Sequence, residues 1–267
     1  MNINDFRFMR KGKQMQLLTP ADAHLLQPID RRSTLKNRAL LLLHGFTSTP
    51  GVYREMLPLL SMYAAIVCPA LPGHADSIVS FNNVKAAEWV TASEQVCQSL
   101  IQEYQAVDVL GLSLGGLLGC HLSTRFNLNH LYLLAPALAL PINIPLLLWY
   151  GRILSVMGIK YLRNRAGNLH TQRSRELAYR LLPVHAATEL LTLIQDYKFD
   201  PPSCPADLFL GRWDTVIDSM TIAKAFENFP HTQIHWLENS AHVIPLEEDI
   251  SAIITCIEKN WGKAAQS

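Results

Sequence analysis

At 267 residues, with 49% hydrophobic and 17% charged positions, the chain has ample material for one large folded core and lacks the composition of a disordered one. Its 23 lysines and arginines against 22 acidic residues give a net charge of +1, which excludes recruitment of nucleic acid by a global field. Five cysteines, odd in number, scattered and without C-x-x-C spacing, predict reduced thiols in a cytoplasmic protein and no metal site.

The start, MNINDFRFMRKGKQMQLL, is broken by Asp5, Arg7, Arg10, Lys11 and Lys13 before any apolar signal core can form, so no secretory signal is read there. From about residue 38, short β-type runs alternate with helical patterns, which predicts βαβ units and a mostly parallel sheet with helices on both faces. The strands are 38–44, 64–70, 107–112, 130–136, 206–214 and 232–238. The helices are 83–104, 115–126, 219–229 and 246–261. In the first of these, Ala87, Val90, Ala92, Val96 and Leu100 recur at near-helical spacing. Residues 131–151 carry no charge and are long enough to span a bilayer, but Pro136, Pro141 and Pro145 break such a helix. A strand, a turn and an apolar helix fit better. Residues 140–203 read as helical pieces with no clear strand between them. The expected organisation is a core of 1–136 and 205–267 interrupted by a helical insertion, 137–204.

Ser113 in DVLGLSLGGLLG lies between a strand and a helix, with Gly111, Gly115 and Gly116 around it. A nucleophilic serine on a strained strand-to-helix turn needs small neighbours so that strand and helix can approach. A serine hydroxyl also needs a base, and His242 lies on the loop after the last strand, at the sheet edge where such loops gather. Asp214, just past its strand, is the carboxylate expected to orient that imidazole. Asp218 is the rival, unless it caps the next helix. Acyl transfer further needs donors for an oxyanion. The backbone N–H groups of Phe46 and Leu114 are the candidates, with His44 read as structural. No dinucleotide fingerprint or phosphate loop follows the first strand, so no cofactor is expected.

HGF at 44–46, LPGHADS at 71–77, GLSLGG at 111–116, GRWD at 211–214 and AHVIPLE at 241–247 together resemble the serine α/β-hydrolases, above all bacterial carboxylesterases and monoacylglycerol lipases. The resemblance runs over 38–261 outside 137–204. It implies the α/β-hydrolase fold, Ser113 as nucleophile, His242 as base and Asp214 as acid. It also implies the Phe46 and Leu114 amides as oxyanion hole and the insertion as a lid. Haloalkane dehalogenase chemistry needs an aspartate where Ser113 stands, and is excluded.

A small acyl ester of medium chain length, or a monoacylglycerol, is the expected substrate. Leu147, Trp149 and Ile153 of the apolar stretch 145–153 are candidates to contact it. The excess of Arg152, Lys160, Arg163, Arg165, Arg173, Arg175 and Arg180 over Glu176 reads first as a solvated face, with weak peripheral contact with an anionic membrane or attraction of a carboxylate-bearing substrate as the alternatives. The same triad serves a thioesterase, an acyltransferase or a carbon–carbon bond hydrolase. A ligand-binding protein that keeps the fold without turnover is the reading from another class.

Overall fold

A computed structural model describes residues 1–264. The amino-terminal residues, patternless in sequence, form β1 (Phe6–Arg10), β2 (Lys13–Leu17) and β3 (Ile29–Arg32). β4 (Arg38–Leu43), β5 (Ala65–Cys68), α1 (Ile78–Asn83), α2 (Ala86–Glu103), β6 (Ala106–Leu112), α3 (Leu114–Arg125) and β7 (His130–Leu134) follow. The insertion holds α4 (Ile144–Val156), β8 (Tyr161–Arg163), β9 (Glu176–Tyr179), β10 (Leu181–Pro183) and α5 (Val184–Asp196). The chain then completes the core with β11 (Ala206–Gly211), α6 (Ser219–Phe226), β12 (Thr232–Leu237) and α7 (Ile250–Ala264).

The main sheet has the order β12-β11-β7-β6-β4-β5-β3 and is parallel except where β3 meets β5. This is the predicted α/β architecture, with one added antiparallel edge. Every residue of β4, β7 and β11 is buried, which explains their unbroken apolar runs: helices cover both faces. Because all six predicted strands run the same way, the loops that follow them collect at one edge.

One prediction is refined and one expectation corrected. Helix α2 forms where the spacing predicts it, but it buries Ala86, Trp89, Ser93, Cys97 and Leu100. Of the five residues whose spacing predicts the helix, Leu100 is buried and Val90, Ala92 and Val96 are half-buried. Trp89 sets the rotation: it is fully buried, and the residues three or four apart from it lie beneath it. The insertion, in turn, is not purely helical. All four residues of β9 are buried, and β9 pairs antiparallel with β1 in a sheet of order β2-β1-β9. Phe6 stands opposite Tyr179, their rings 4.3 Å apart. The partner strand lies at the amino terminus, far away in sequence and out of reach of any local pattern.

The apolar stretch 131–151 divides into β7, a connection and the start of α4. Among the described residues no helix is long and apolar enough to cross a membrane. At the amino ends of the strands, buried Asp108 pairs with Arg38 at 2.7 Å and accepts from Tyr63 Oη at 2.6 Å and Asn129 Nδ2 at 2.7 Å. Trp261 of α7 lies over the same guanidinium at 4.7 Å, fastening the last helix to the sheet.

Candidate active site

Ser113 is the residue between β6 and α3, with φ +55° and ψ −113°. This region is disfavoured for a residue with a Cβ and carries a strain of about 1–3 kcal/mol. The neighbours explain how it is held. A Cβ on Gly115 would stand 1.9 Å from the Leu43 carbonyl oxygen, and one on Gly111 would stand 2.2 Å from that of Gly115. Only glycine lets the start of α3 close onto the ends of β6 and β4. The Ser113 amide donates to Leu134 O at 3.0 Å, while its carbonyl accepts from Gly116, Leu117 and Ala137. The turn is therefore pinned on both sides.

His242 and Asp214, from loops after β12 and β11, meet at 2.8 Å between Nδ1 and Oδ2. The other carboxylate oxygen of Asp214 accepts from the amides of Val216 at 2.7 Å and Ile217 at 3.2 Å. Burial disfavours the charged imidazole, but Asp214, with Glu176 behind it, outweighs burial and holds the His242 pKa above its ordinary 6.5. Asp218 is placed elsewhere: it caps α6, accepting from the Thr221 amide at 3.0 Å and hydroxyl at 2.8 Å. Among the described residues the Ser113 hydroxyl has no hydrogen-bond partner, so the structure joins Asp214 to His242 and brings the serine to the same sheet edge without a serine–histidine bond.

His44 is buried and neutral, its pKa lowered by burial to about 4. Its Nε2 accepts from the Leu71 amide at 3.0 Å, so Nδ1 carries the proton and donates to Gly45 O at 3.0 Å. The Ser48 amide donates to the same oxygen. In a trans peptide the N–H points opposite to the C=O, so fixing Gly45 O also fixes the direction of the Phe46 amide. Among the described residues neither that amide nor the amide of Leu114 donates to a protein acceptor. A Cβ placed on Gly45 would lie 3.4 Å from Ser113 Cβ, so this loop borders the serine.

Leu147 and Trp149 are exposed on α4, and Ile153 is half-buried; nothing brings the first two to Ser113. Partly buried Leu138, Leu140, Ile144, Leu190 and Leu193 pack around Leu117, Ala137 and Ile194, and the amides of Leu117 and Ala137 donate to the Ser113 carbonyl. Leu117 lies one turn past Ser113. Asn168 was not foreseen either. Its backbone and side-chain oxygens both accept from the His242 amide at 3.1 Å, and its Nδ2 donates to Thr215 Oγ1 at 2.9 Å. It lies in a stretch with no periodicity to mark it.

Asp207, His235 and Cys256 place potential metal-ligand atoms within 4.8 Å of one another, at the far side of the sheet, where a cavity of about 420 Å³ opens beside Asp207, His130 and Asn260. The Asp207 carboxylate already accepts from His235 at 2.6 Å, His130 at 2.7 Å and Asn260 at 2.8 Å. Hydrogen bonding accounts for this cluster.

The chain and its fold have counterparts among known proteins. A curated thermostable monoacylglycerol lipase from Bacillus sp. (strain H-257) is 29% identical over 224 residues, covering 80% of this chain and 86% of the relative. A solved structure of metagenome-derived lipolytic enzymes superposes with a TM-score of 0.79 at 21% identity, covering 91% of this chain and 98% of that one. A monoacylglycerol lipase from Paleococcus ferrophilus does so with a TM-score of 0.64 at 14% identity, covering 88% and 98%. At these identities the two structures speak for the fold alone. The alpha/beta hydrolase family model matches residues 40–253, a span that includes every residue of the site just described; the chain belongs to the alpha/beta hydrolase family.

Proposed function

We propose that the protein is a serine hydrolase of carboxylic esters that forms an acyl-enzyme on Ser113, with a medium-chain acyl ester or a monoacylglycerol as substrate. The observation that carries this reading is the strained Ser113 beside two unpaired amides, at the sheet edge where Asp214 orients His242. The similarity to a monoacylglycerol lipase supports it.

In the proposed cycle the neutral His242 takes the Ser113 proton through Nε2 as the serine oxygen attacks the ester carbonyl. The bond to carbon forms as the carbonyl π pair moves onto oxygen, which the Phe46 and Leu114 amides receive. Collapse expels the alcohol, protonated by His242, and water repeats the two steps on the acyl-enzyme, releasing the acid and restoring Ser113. Asp214 stays ionised and holds the Nδ1–H tautomer throughout. The serine–histidine bond that the cycle needs is of the kind that tightens when substrate binds.

We further propose that residues 137–204 form a lid over a core of 1–136 and 205–267, of which 265–267 lie outside the described residues. The acyl chain would lie among Leu117, Leu138, Leu140, Ile144 and Leu190, where each buried methylene contributes about 0.8 kcal/mol. That favours acyl groups of some length over acetyl. The outer face of α4, with exposed Leu146, Trp149 and Tyr150, together with the exposed arginines of the insertion, supports weak contact with an anionic membrane. Four buried free cysteines fit a reducing compartment such as the cytoplasm.

The test is a panel of p-nitrophenyl esters, acyl-thioesters and monoacylglycerols, with fluorophosphonate labelling of the parent and Ser113→Ala. Labelling and turnover are expected to vanish in the variant. Labelling retained there removes Ser113 from the role, and a sharp preference for acetyl esters removes the acyl site. Faster turnover of thioesters than of oxygen esters would reassign the leaving group.

A further inference from the structure

Asp214 and His242 stand on two separate loops, and their hydrogen bond is only as well defined as the relative placement of those loops. The structure fixes that placement through a third segment, 164–171, supplied by the insertion. Asn168 is its centre. The carbonyl of Asn168 accepts from the amides of His242 at 3.1 Å and Val243 at 3.2 Å, and its Oδ1 accepts from the His242 amide at 3.1 Å and the Thr215 amide at 3.4 Å. Its Nδ2 donates to Thr215 Oγ1 at 2.9 Å. One side chain thus bridges the base itself and the residue after the acid.

Asn168 is itself anchored on both sides. The Gly167 amide donates to buried Glu176 at 2.7 Å, and the Gly167 carbonyl accepts from Lys11 of the β1–β2 turn. Gly167 has φ +81°, and a Cβ there would stand 2.5 Å from the Met9 carbonyl oxygen, so the segment lies directly against β1. On the other side, buried Glu247 accepts from the amides of His170 at 2.6 Å and Thr171 at 2.8 Å, and from that of Ala241, the residue before His242, at 2.9 Å. The loop of the base is bracketed at two successive amides.

We propose that Asn168 is a positioning residue that holds the acid loop and the base loop of the triad in register. This rests on the reading of Asp214 and His242 as the acid and base of the hydrolase. A misplacement of about 1 Å at a catalytic group costs on the order of 10²-fold in rate, whereas substrate affinity, set by other side chains, should change little.

The experiment compares the full-length parent with Asn168→Ala, Asn168→Asp and Thr215→Val, all normalised to serines titrated by a fluorophosphonate. Asn168→Ala is expected to lower kcat per titrated serine by about 10-fold or more, with KM within about twofold. The low-field proton resonance of the His242 Nδ1–H···Asp214 bond is expected to broaden or shift. Asn168→Asp should recover most of kcat, because a carboxylate keeps the acceptor for His242 and takes a hydrogen bond from the Thr215 hydroxyl. An unchanged kcat per titrated serine in Asn168→Ala, or a loss confined to the titratable fraction, overturns the proposal. If Asn168→Ala does not fold, Thr215→Val decides: it removes only the partner hydroxyl, and kcat equal to that of the parent overturns the proposal. A parent that is neither labelled at Ser113 nor active refutes the hydrolase reading instead.

Discussion

Asp214→Asn isolates what the carboxylate does. In the native site one oxygen of Asp214 faces two backbone donors, Val216 N at 2.7 Å and Ile217 N at 3.2 Å, and the other faces His242 Nδ1 at 2.8 Å. An asparagine must keep its oxygen toward the two amides, because the flipped amide would set NH2 against two N–H groups and lose about 1–3 kcal/mol per unsatisfied group. Its NH2 therefore faces His242 Nδ1, which must become the acceptor, and the ring proton moves to Nε2. That tautomer cannot take the serine proton. By analogy with the same substitution in serine proteases, kcat should fall on the order of 10⁴-fold with the fold intact.

The pH profile carries a second, independent signature. In the proposed cycle activity needs neutral His242, so the acid limb follows its pKa, which Asp214 helps to hold above 6.5 against burial. Removing that charge lets burial prevail, and the limb of the residual activity should move to lower pH. The assay is the pH dependence of p-nitrophenyl ester hydrolysis, normalised to titrated serine. A fall of less than about tenfold, or an acid limb that stays in place, would refute the assignment. Asp218→Asn is the control: asparagine caps a helix about as well as aspartate, so kcat should be nearly unchanged.

Two other expectations test the scaffold and its surface. Asp108→Ala leaves the Arg38 guanidinium buried without its carboxylate and removes the acceptor of Tyr63 and Asn129; urea unfolding should report a loss of about 3–5 kcal/mol, and a loss below about 1 kcal/mol would show that the network is not stabilising. Trp149→Ser with Leu146→Ser, both on the exposed face of α4, should reduce sedimentation with vesicles containing anionic lipid; equal binding of the parent to neutral and anionic vesicles would retire the membrane contact.

What the sequence makes legible follows the reach of its signals. Buried parallel strands declare themselves as apolar runs, because both faces meet helices, and the glycines around Ser113 declare the turn, because no other residue fits against Leu43 O and Gly115 O. Asp214 and His242 are legible because strand direction alone puts their loops at one edge. The β1–β9 pairing is not, since it joins the amino-terminal strand to one far away in sequence, within the insertion. Nor is the inner face of α4: Leu146, Leu147, Leu148, Trp149 and Tyr150 are apolar all round the helix, so nothing in their pattern marks Ile144 as the residue that packs inward. Asn168 escapes for another reason. Its role lies in hydrogen bonds to backbone amides, which any loop asparagine can make and no spacing announces.

The parts of the insertion differ in how firmly they are tied. Strand β9 belongs to the sheet with β1, its Tyr179 hydroxyl donates to Gly73 O at 2.8 Å, and segment 164–171 is bonded to both loops of the candidate triad. Displacing any of these breaks buried hydrogen bonds, each leaving an unsatisfied group that costs about 1–3 kcal/mol. Among the described residues, helix α4 has no comparable ties. Its ends are Asn143, whose side chain accepts from the Leu146 amide within the same helix, and Gly158 at φ +77°, and its packing is against α5, where Gly151 lies close to Thr188. For the lid and acyl substrate proposed above, an opening motion is therefore expected at α4 and its flanking turns. Under that proposal the rest of the insertion is an extension of the core, with Asn168 holding the proposed acid and base aligned whether the entrance is open or closed.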